Sequence, residues 1–295
     1  MRRSSFVVGT TAVISALGMP IPTLAAADPT AAIEKIEAET QGRLGVVIAD
    51  TGSRKTIAYR ADERFPMCST FKVLAVSAIL SNVDRGTENL DRHVSYSNAD
   101  LLDYAPVTRT HVREGSMTLR ALCEAAIQYS DNTAANLLLK VLGGPQAVTE
   151  FARAHGDATT ILSRTEPTLN TAIPGDTRDT TTPSAMAKDL QMLVLGAALK
   201  PASRRELTNW MVECRTGDAC LRAGIPRSWI IGDKTGSGGR ENALGDRDTR
   251  NDIAIVWPPA RAPLVIATYL TGSKVSSDRS DAALASIGRI ATSFA

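Results

Sequence analysis

Trp229-Ile230-Ile231-Gly232-Asp233-Lys234 reads as a strand, and its late position decides the fold. Two more apolar runs follow it, Asn251 to Trp257 and Leu264 to Thr271. Near the other end, Arg43 to Ala49 (RLGVVIA) and Thr56 to Arg60 are strands, parted by the turn residues Asp50-Thr51-Gly52. From about Ala61 to Met211 the pattern is helical with long loops, and Met117 to Leu142 and Pro183 to Leu199 carry apolar residues at helical spacing. Asp28 to Gly42, opened by Asp28-Pro29, and Asp278 to Ala291 read as helices at the two ends. This order predicts an α/β fold of the α+β type. An antiparallel sheet is built from both chain ends with flanking helices, and an all-helical domain is inserted into it. The expected boundaries are 28–60 plus 213–295 for the sheet domain and 61–212 for the helical domain. A small-molecule site is expected in the cleft between them.

The composition narrows the function. Apolar residues make up 43 % of the 295 and charged residues 22 %, with 21 Gly and 14 Pro, which excludes disordered, collagen-like and coiled-coil chains. Aromatics are only 4 %, too few for a platform that stacks nucleic-acid bases. Lys and Arg total 33 against 31 Asp and Glu, and the excess is Arg2 and Arg3. Without those two the charges balance, so nothing favours phosphate backbones or acidic membranes. No nucleic acid, membrane anchor, cofactor or metal is expected as a partner.

Residues 1–27 have the layout of an export signal. A charged start is followed by a weakly apolar run, Phe6 to Leu24, and then by Ala25-Ala26-Ala27. Gly9, Gly18, Pro20 and Pro22 argue against a structural helix there. The paired Arg before Ser4-Ser5-Phe6-Val7-Val8 looks like a twin-arginine signal, and an ordinary Sec signal, which also carries Arg near its start, is the alternative. The expected product is an exported, periplasmic or secreted, monomeric protein starting near Asp28. In that compartment Cys214 and Cys220 are close enough to staple a short loop, while free buried thiols are an equal reading for all four Cys, including Cys68 and Cys123.

Three short motifs carry chemistry. In Met67-Cys68-Ser69-Thr70-Phe71-Lys72, Ser69 and Lys72 share a helix face. A serine hydroxyl needs a base before it can attack, and a buried Lys of lowered pKa can be one. In Tyr129-Ser130-Asp131-Asn132, a hydroxyl can relay a proton and an amide can hold an amide substrate. Lys234-Thr235-Gly236-Ser237-Gly238-Gly239 puts a cation and a hydroxyl at the end of a strand, with Gly letting a substrate approach the backbone. Each alone has a bland explanation: a capping Ser before an exposed Lys, a helix-capping turn, a glycine turn. The three in this order do not arise together by chance.

In that order the motifs resemble those of the class A β-lactamases and penicillin-binding proteins, over nearly the whole chain from about Ala31. Ser163-Arg164-Thr165-Glu166-Pro167-Thr168-Leu169-Asn170 is similar to the omega loop of the class A branch, and there the family has a cis peptide. The resemblance implies a hydrolase that destroys penicillins and cephalosporins through a serine acyl-enzyme. Ser69 would be the nucleophile, with the backbone N–H groups of Ser69 and Ser237 as oxyanion hole. Lys72 and Glu166 would share the base role. Ser130 would pass a proton to the leaving nitrogen, and Glu166 with Asn170 would hold the deacylating water. Asn132 would bind the acylamide, while Lys234, Thr235, Gly236 and Ser237 bind the substrate carboxylate. Tyr104 would wall the cleft, and Asp131, Arg164 and its partner Asp179 would support the site. A D,D-peptidase of cell-wall metabolism and a β-lactam sensor share the three motifs, and Glu166 in an omega loop favours the hydrolase.

The family closes its carboxylate site with an arginine, and Arg250 aligns best, with Arg240 and Arg247 as rivals expected to be solvated in a long polar loop, 240–248. Carbapenem-hydrolysing members tie the residue before the nucleophile to a Cys after Lys-Thr-Gly. Cys68 is present here, but its partner position is Gly238. The run Lys-Thr-Gly-Ser-Gly-Gly instead resembles members active on oximino-cephalosporins.

Overall fold

The structure, a computed structural model, describes residues 28–294 together with Met1. The expected export signal and its cleavage point lie outside the described residues. The strands are β1 (Arg43–Asp50), β2 (Thr56–Tyr59), β3 (Phe65–Pro66), β4 (His93–Ser95), β5 (Ser116–Thr118), β6 (Thr180–Thr181), β7 (Ile230–Glu241), β8 (Arg247–Trp257) and β9 (Leu264–Thr271). The helices are α1 (Pro29–Thr40), α2 (Phe71–Asp84), α3 (Thr108–His111), α4 (Leu119–Gln128), α5 (Asn132–Leu142), α6 (Gln146–Ala154), α7 (Pro183–Leu190), α8 (Pro201–Val212), α9 (Leu221–Gly224) and α10 (Ser277–Phe294).

The main sheet has the order β2-β1-β9-β8-β7 and is antiparallel throughout. It joins strands from both chain ends, as the sequence predicts. Its strands are apolar on both faces because both are covered. Val46, Ile48, Ala254, Val256 and Ile266 pack with Ile33 of α1 and Leu284 and Ile287 of α10. The alternate residues Val47, Ile253, Ile255, Val265 and Ala267 join a larger core shared with the helices. At its centre is α2, buried continuously from Phe71 to Ser81. A helix apolar on every side belongs inside, wrapped by others. Side-chain caps fix several helix starts: Asp28 accepts from Thr30 N before Pro29, Thr118 from Ala121 N, and Asp131 from Ala134 N.

Met117–Leu142 holds two helices, α4 and α5, parted at the expected capping turn, where Tyr129–Asp131 leaves the helical path and Ser130 takes φ +57°. Two expectations need correction. Residues 183–199 form α7 only to Leu190, followed by a π-helical turn, Gln191–Leu195. Lys234-Thr235-Gly236 does not end a strand; β7 runs on to Glu241 and β8 begins at Arg247. The two ends of the expected long loop therefore lie in the strands, and 242–246 close the hairpin, with Asn242 N donating to Asp246 O at 2.8 Å. Its glycines read as a turn because Gly disfavours strands, yet cross-strand pairing prevails, with a bulge between Gly238 and Glu241.

Candidate active site

Ser69 sits in a single 3-10 turn, Cys68–Thr70, that leads into α2. Cys68 before it is held at φ +46°, an uncommon conformation for a residue with a side chain. The turn is fixed from two sides. Thr70 Oγ1 donates to Met67 O at 2.8 Å, and Asn251 Nδ2 of β8 donates to Pro66 O and Met67 O at 2.8 and 3.0 Å. On Gly236 a Cβ would lie 2.7 Å from Met67 O, so a side chain there would push β7 off the turn. Gly236 is buried between the cleft-lining Thr235 and Ser237, and its packing on the turn is what the structure shows for it.

One helical turn on, α2 buries Lys72 completely. Its Nζ donates to Ser130 O and Asn132 Oδ1, both at 2.7 Å, and lies 3.1 Å from Glu166 Oε1. Ser69 Oγ donates to that same carboxylate oxygen at 3.4 Å. Glu166 Oε1 is thus the atom at which the serine and the lysine meet. Asn170 Nδ2 donates to the other oxygen, Oε2. Burial lowers the pKa of Lys72, and the Glu166 carboxylate opposes that shift.

The Ser130 hydroxyl lies between two ammonium groups, 3.0 Å from Lys234 Nζ and 3.4 Å from Lys72 Nζ. Burial pulls Lys234 down to about 8, and the nearby Lys72 adds to this. Asp131, fully buried, ties this loop to the segment after Tyr104. It accepts from Val107 N, Thr108 N and Thr108 Oγ1, and Asn132 N donates to Tyr104 O at 3.0 Å. Tyr104 is half exposed on the cleft wall.

The loop carrying Glu166 is pinned at both ends. Arg164 pairs with Asp179, and Asp179 Oδ1 also accepts from Ser163 N and Arg164 N. Asn136 bonds the backbone of Glu166 twice, giving Nδ2 to its O and taking its N–H, both at 2.9 Å. The Glu166–Pro167 peptide is cis, as the resemblance implies. On the far side the loop abuts β7. A Cβ on Gly238 would lie 2.7 Å from Cys68 Sγ and 2.8 Å from Asn170 O.

These segments enclose a cavity of about 760 Å³, lined among others by Ser69, Tyr104, Ser130, Asn132, Asn170 and Ser237. Thr235 is on its wall too, and its hydroxyl meets that of Thr216. Lys72, Glu166 and Lys234 stand behind the hydroxyls they contact. Arg250 borders the cavity but is not free. Its Nη2 lies 3.1 Å from Asp281 Oδ2 of α10, and this pairing, with Cys220, holds its pKa up against burial. Arg247 is exposed, as expected, but it also borders the cleft, because the hairpin brings it beside the bulge, where Nη1 donates to Gly239 O at 3.1 Å. Arg240 faces a different cavity, behind the Glu166 loop. Cys214 and Cys220 are not joined. All four cysteines are free, buried thiols, and burial pushes their pKa values up.

Sequence reasoning missed Asn136, Thr216, Asn251 and Asp281. For Asn136 a signal existed: it follows Asn132 by four residues and so shares its helix face. The others act across gaps that no local spacing marks.

The chain matches a family model described as the beta-lactamase enzyme family over residues 28–295. It is 50 % identical to Beta-lactamase Toho-1 of Escherichia coli, covering 88 % of this chain and 87 % of that one. It is 49 % identical to Beta-lactamase CTX-M-8 of Citrobacter amalonaticus over 96 % and 95 % of the two chains. Among solved structures, an ancestral class A beta-lactamase superposes with a TM-score of 0.86 at 53 % identity, covering 91 % of this chain and 100 % of that one.

Proposed function

The chain belongs to the class A serine β-lactamases, and from that membership we propose that its cleft hydrolyses the β-lactam amide of penicillins and cephalosporins, the chemistry of antibiotic resistance. The observation that carries the proposal is the single carboxylate oxygen, Glu166 Oε1, shared by Ser69 Oγ and Lys72 Nζ.

In acylation, Ser69 Oγ attacks the lactam carbonyl carbon as its proton leaves to Glu166, whose position Lys72 holds. The developing oxyanion lies against the N–H groups of Ser69 and Ser237. The C–N bond then breaks, and the nitrogen takes the proton of Ser130, whose hydroxyl the two buried ammonium groups make a better donor. Lys72, 3.1 Å from Glu166 and 3.4 Å from Ser130, gives Ser130 a proton and takes the one Glu166 holds, so the carboxylate is free again before deacylation. In deacylation, Glu166 takes a proton from water, whose oxygen attacks the ester carbon; the Ser69 ester bond breaks and the proton returns to Ser69. Asn170 Oδ1, buried without a partner among the described residues, is an acceptor such a water can satisfy. Asn132 holds the acylamide, and Lys234, Thr235, Ser237 and Arg250 hold the ring carboxylate. Tyr104 forms the cleft wall, while Gly236, Asp131, Arg164 and Asp179 maintain its shape.

The remaining readings are that 28–60 with 213–295 and 61–212 are two domains and that the enzyme works as a monomer. Residues 1–27 direct export by the twin-arginine route to the periplasm or medium, leaving a chain that starts near Asp28. No helix among the described residues is long and apolar enough to cross a membrane.

Turnover of nitrocefin and benzylpenicillin by the enzyme and by Ser69→Ala tests the hydrolase. The substitution removes one hydroxyl, so the melting temperature should barely move. Losing the nucleophile should lower kcat/KM by several orders of magnitude, on the order of 10⁴ to 10⁶. A variant within about tenfold of the parent would exclude Ser69 as nucleophile.

A further inference from the structure

The cleft wall holds two arginines in different states. Arg250 is ion-paired with Asp281. Arg247 has no carboxylate within ion-pairing distance among the described residues; its side chain makes one hydrogen bond, to Gly239 O, and is exposed. The buried cations are engaged as well, Lys72 with Glu166 and Lys234 with Ser130. Arg247 is therefore the cation on this wall, among the described residues, that is ready for an anion from outside.

Its place on the sheet says which anion. β7 is an edge strand, and Thr235, Ser237, Gly238 and Gly239 of it line the cavity in turn. A substrate with its ring carboxylate at Thr235 extends its other arm towards Gly239, where Arg247 is tied. The opposite wall carries Asp103, an exposed carboxylate without an ion-pair partner among the described residues. An anionic arm is repelled there and drawn to Arg247, whose planar fork suits a carboxylate.

We infer that Arg247 selects β-lactams whose acylamido side chain carries a second carboxylate. This rests on the hydrolase reading. The test uses two aminothiazolyl cephalosporins that differ only in a methoxyimino or a carboxymethoxyimino group. The ratio of their kcat/KM values, carboxylated over neutral, is measured for the parent, Arg247→Ala, Arg247→Glu and Arg250→Ala. An exposed pair supports a drop of about three- to fivefold in that ratio for Arg247→Ala, carried by KM. Arg247→Glu should deepen the drop, and about 0.5 M NaCl should shrink it by screening. Arg250→Ala should lower both values alike, because both compounds carry the ring carboxylate. A ratio unmoved in Arg247→Glu, or equal losses for both compounds in the Arg247 variants, overturns the assignment. Failure of the parent to turn over nitrocefin and benzylpenicillin as well would instead overturn the hydrolase reading beneath it.

Discussion

Asp189 keeps its proton near neutral pH, because it is buried and faces a second carboxylate. Burial first, and then Asp157, push its pKa up to about 8. Asp157 keeps its charge through hydrogen bonds from the backbone of Thr159 and Thr160. Two adjacent carboxylates cannot both ionise cheaply in a buried site. The unfolded chain releases the Asp189 proton near pH 4 and the native protein only near 8, so its contribution is complete below about pH 4 and is lost as pH rises to 8. Asp189→Asn keeps a donor for Asp157 and removes the titration. Against this variant the parent should lose up to about 4 kcal/mol between pH 5 and 8, read from melting curves or urea midpoints. Parallel pH profiles would show that Asp189 is ionised in the native state. Ser69, Lys72, Ser130, Glu166 and Lys234 were legible in the sequence, because covalent chemistry demands particular residue types at short spacings. Asp189 and Asn251 were not, since each acquires its partners only when distant segments pack.

At the scale of elements, β7 and the Glu166 loop press together at Gly238. Asn170 supplies the backbone O that a Cβ there would strike, and the same residue donates to Glu166. Gly238→Ala should therefore displace the loop rather than a flexible side-chain tip. Overpacking of this kind costs typically about 1–3 kcal/mol of stability. The larger effect should fall on deacylation, because Asn170 moves relative to Glu166. Stopped-flow traces with benzylpenicillin should show a burst followed by a steady rate at least about tenfold below the parent's, roughly the 1.4 kcal/mol of one misplaced contact. An unchanged steady rate would show that the loop moves without disturbing Glu166. The strand starts, the capped helices and the loop motif were readable locally. The extent of β7 was not, because its run of glycines serves close packing against Met67 O and Asn170 O and so looks like a turn.

At the scale of the whole molecule, the two chain ends build the sheet and the middle builds the helical part. The α2 turn, the Ser130 loop, the Glu166 loop and β7 then meet in one cleft although they are far apart in sequence. The order of strands and helices made this arrangement predictable. Which arginine would be neutralised by α10 was not predictable, because Asp281 comes from a helix and lies 31 residues further on. The central claim is that this cleft runs two steps on one serine, with Glu166 needed to release the acyl group. Lys72, its pKa lowered by burial, can still take the Ser69 proton when that carboxylate is gone, so acylation should be slowed but not stopped. Intact-mass spectrometry of Glu166→Ala mixed with benzylpenicillin tests this most directly. The account predicts a persistent adduct on the variant, with the mass of the whole penicillin, mapped to Ser69, and little or none on the parent. Rapid turnover by the variant with no adduct would contradict it.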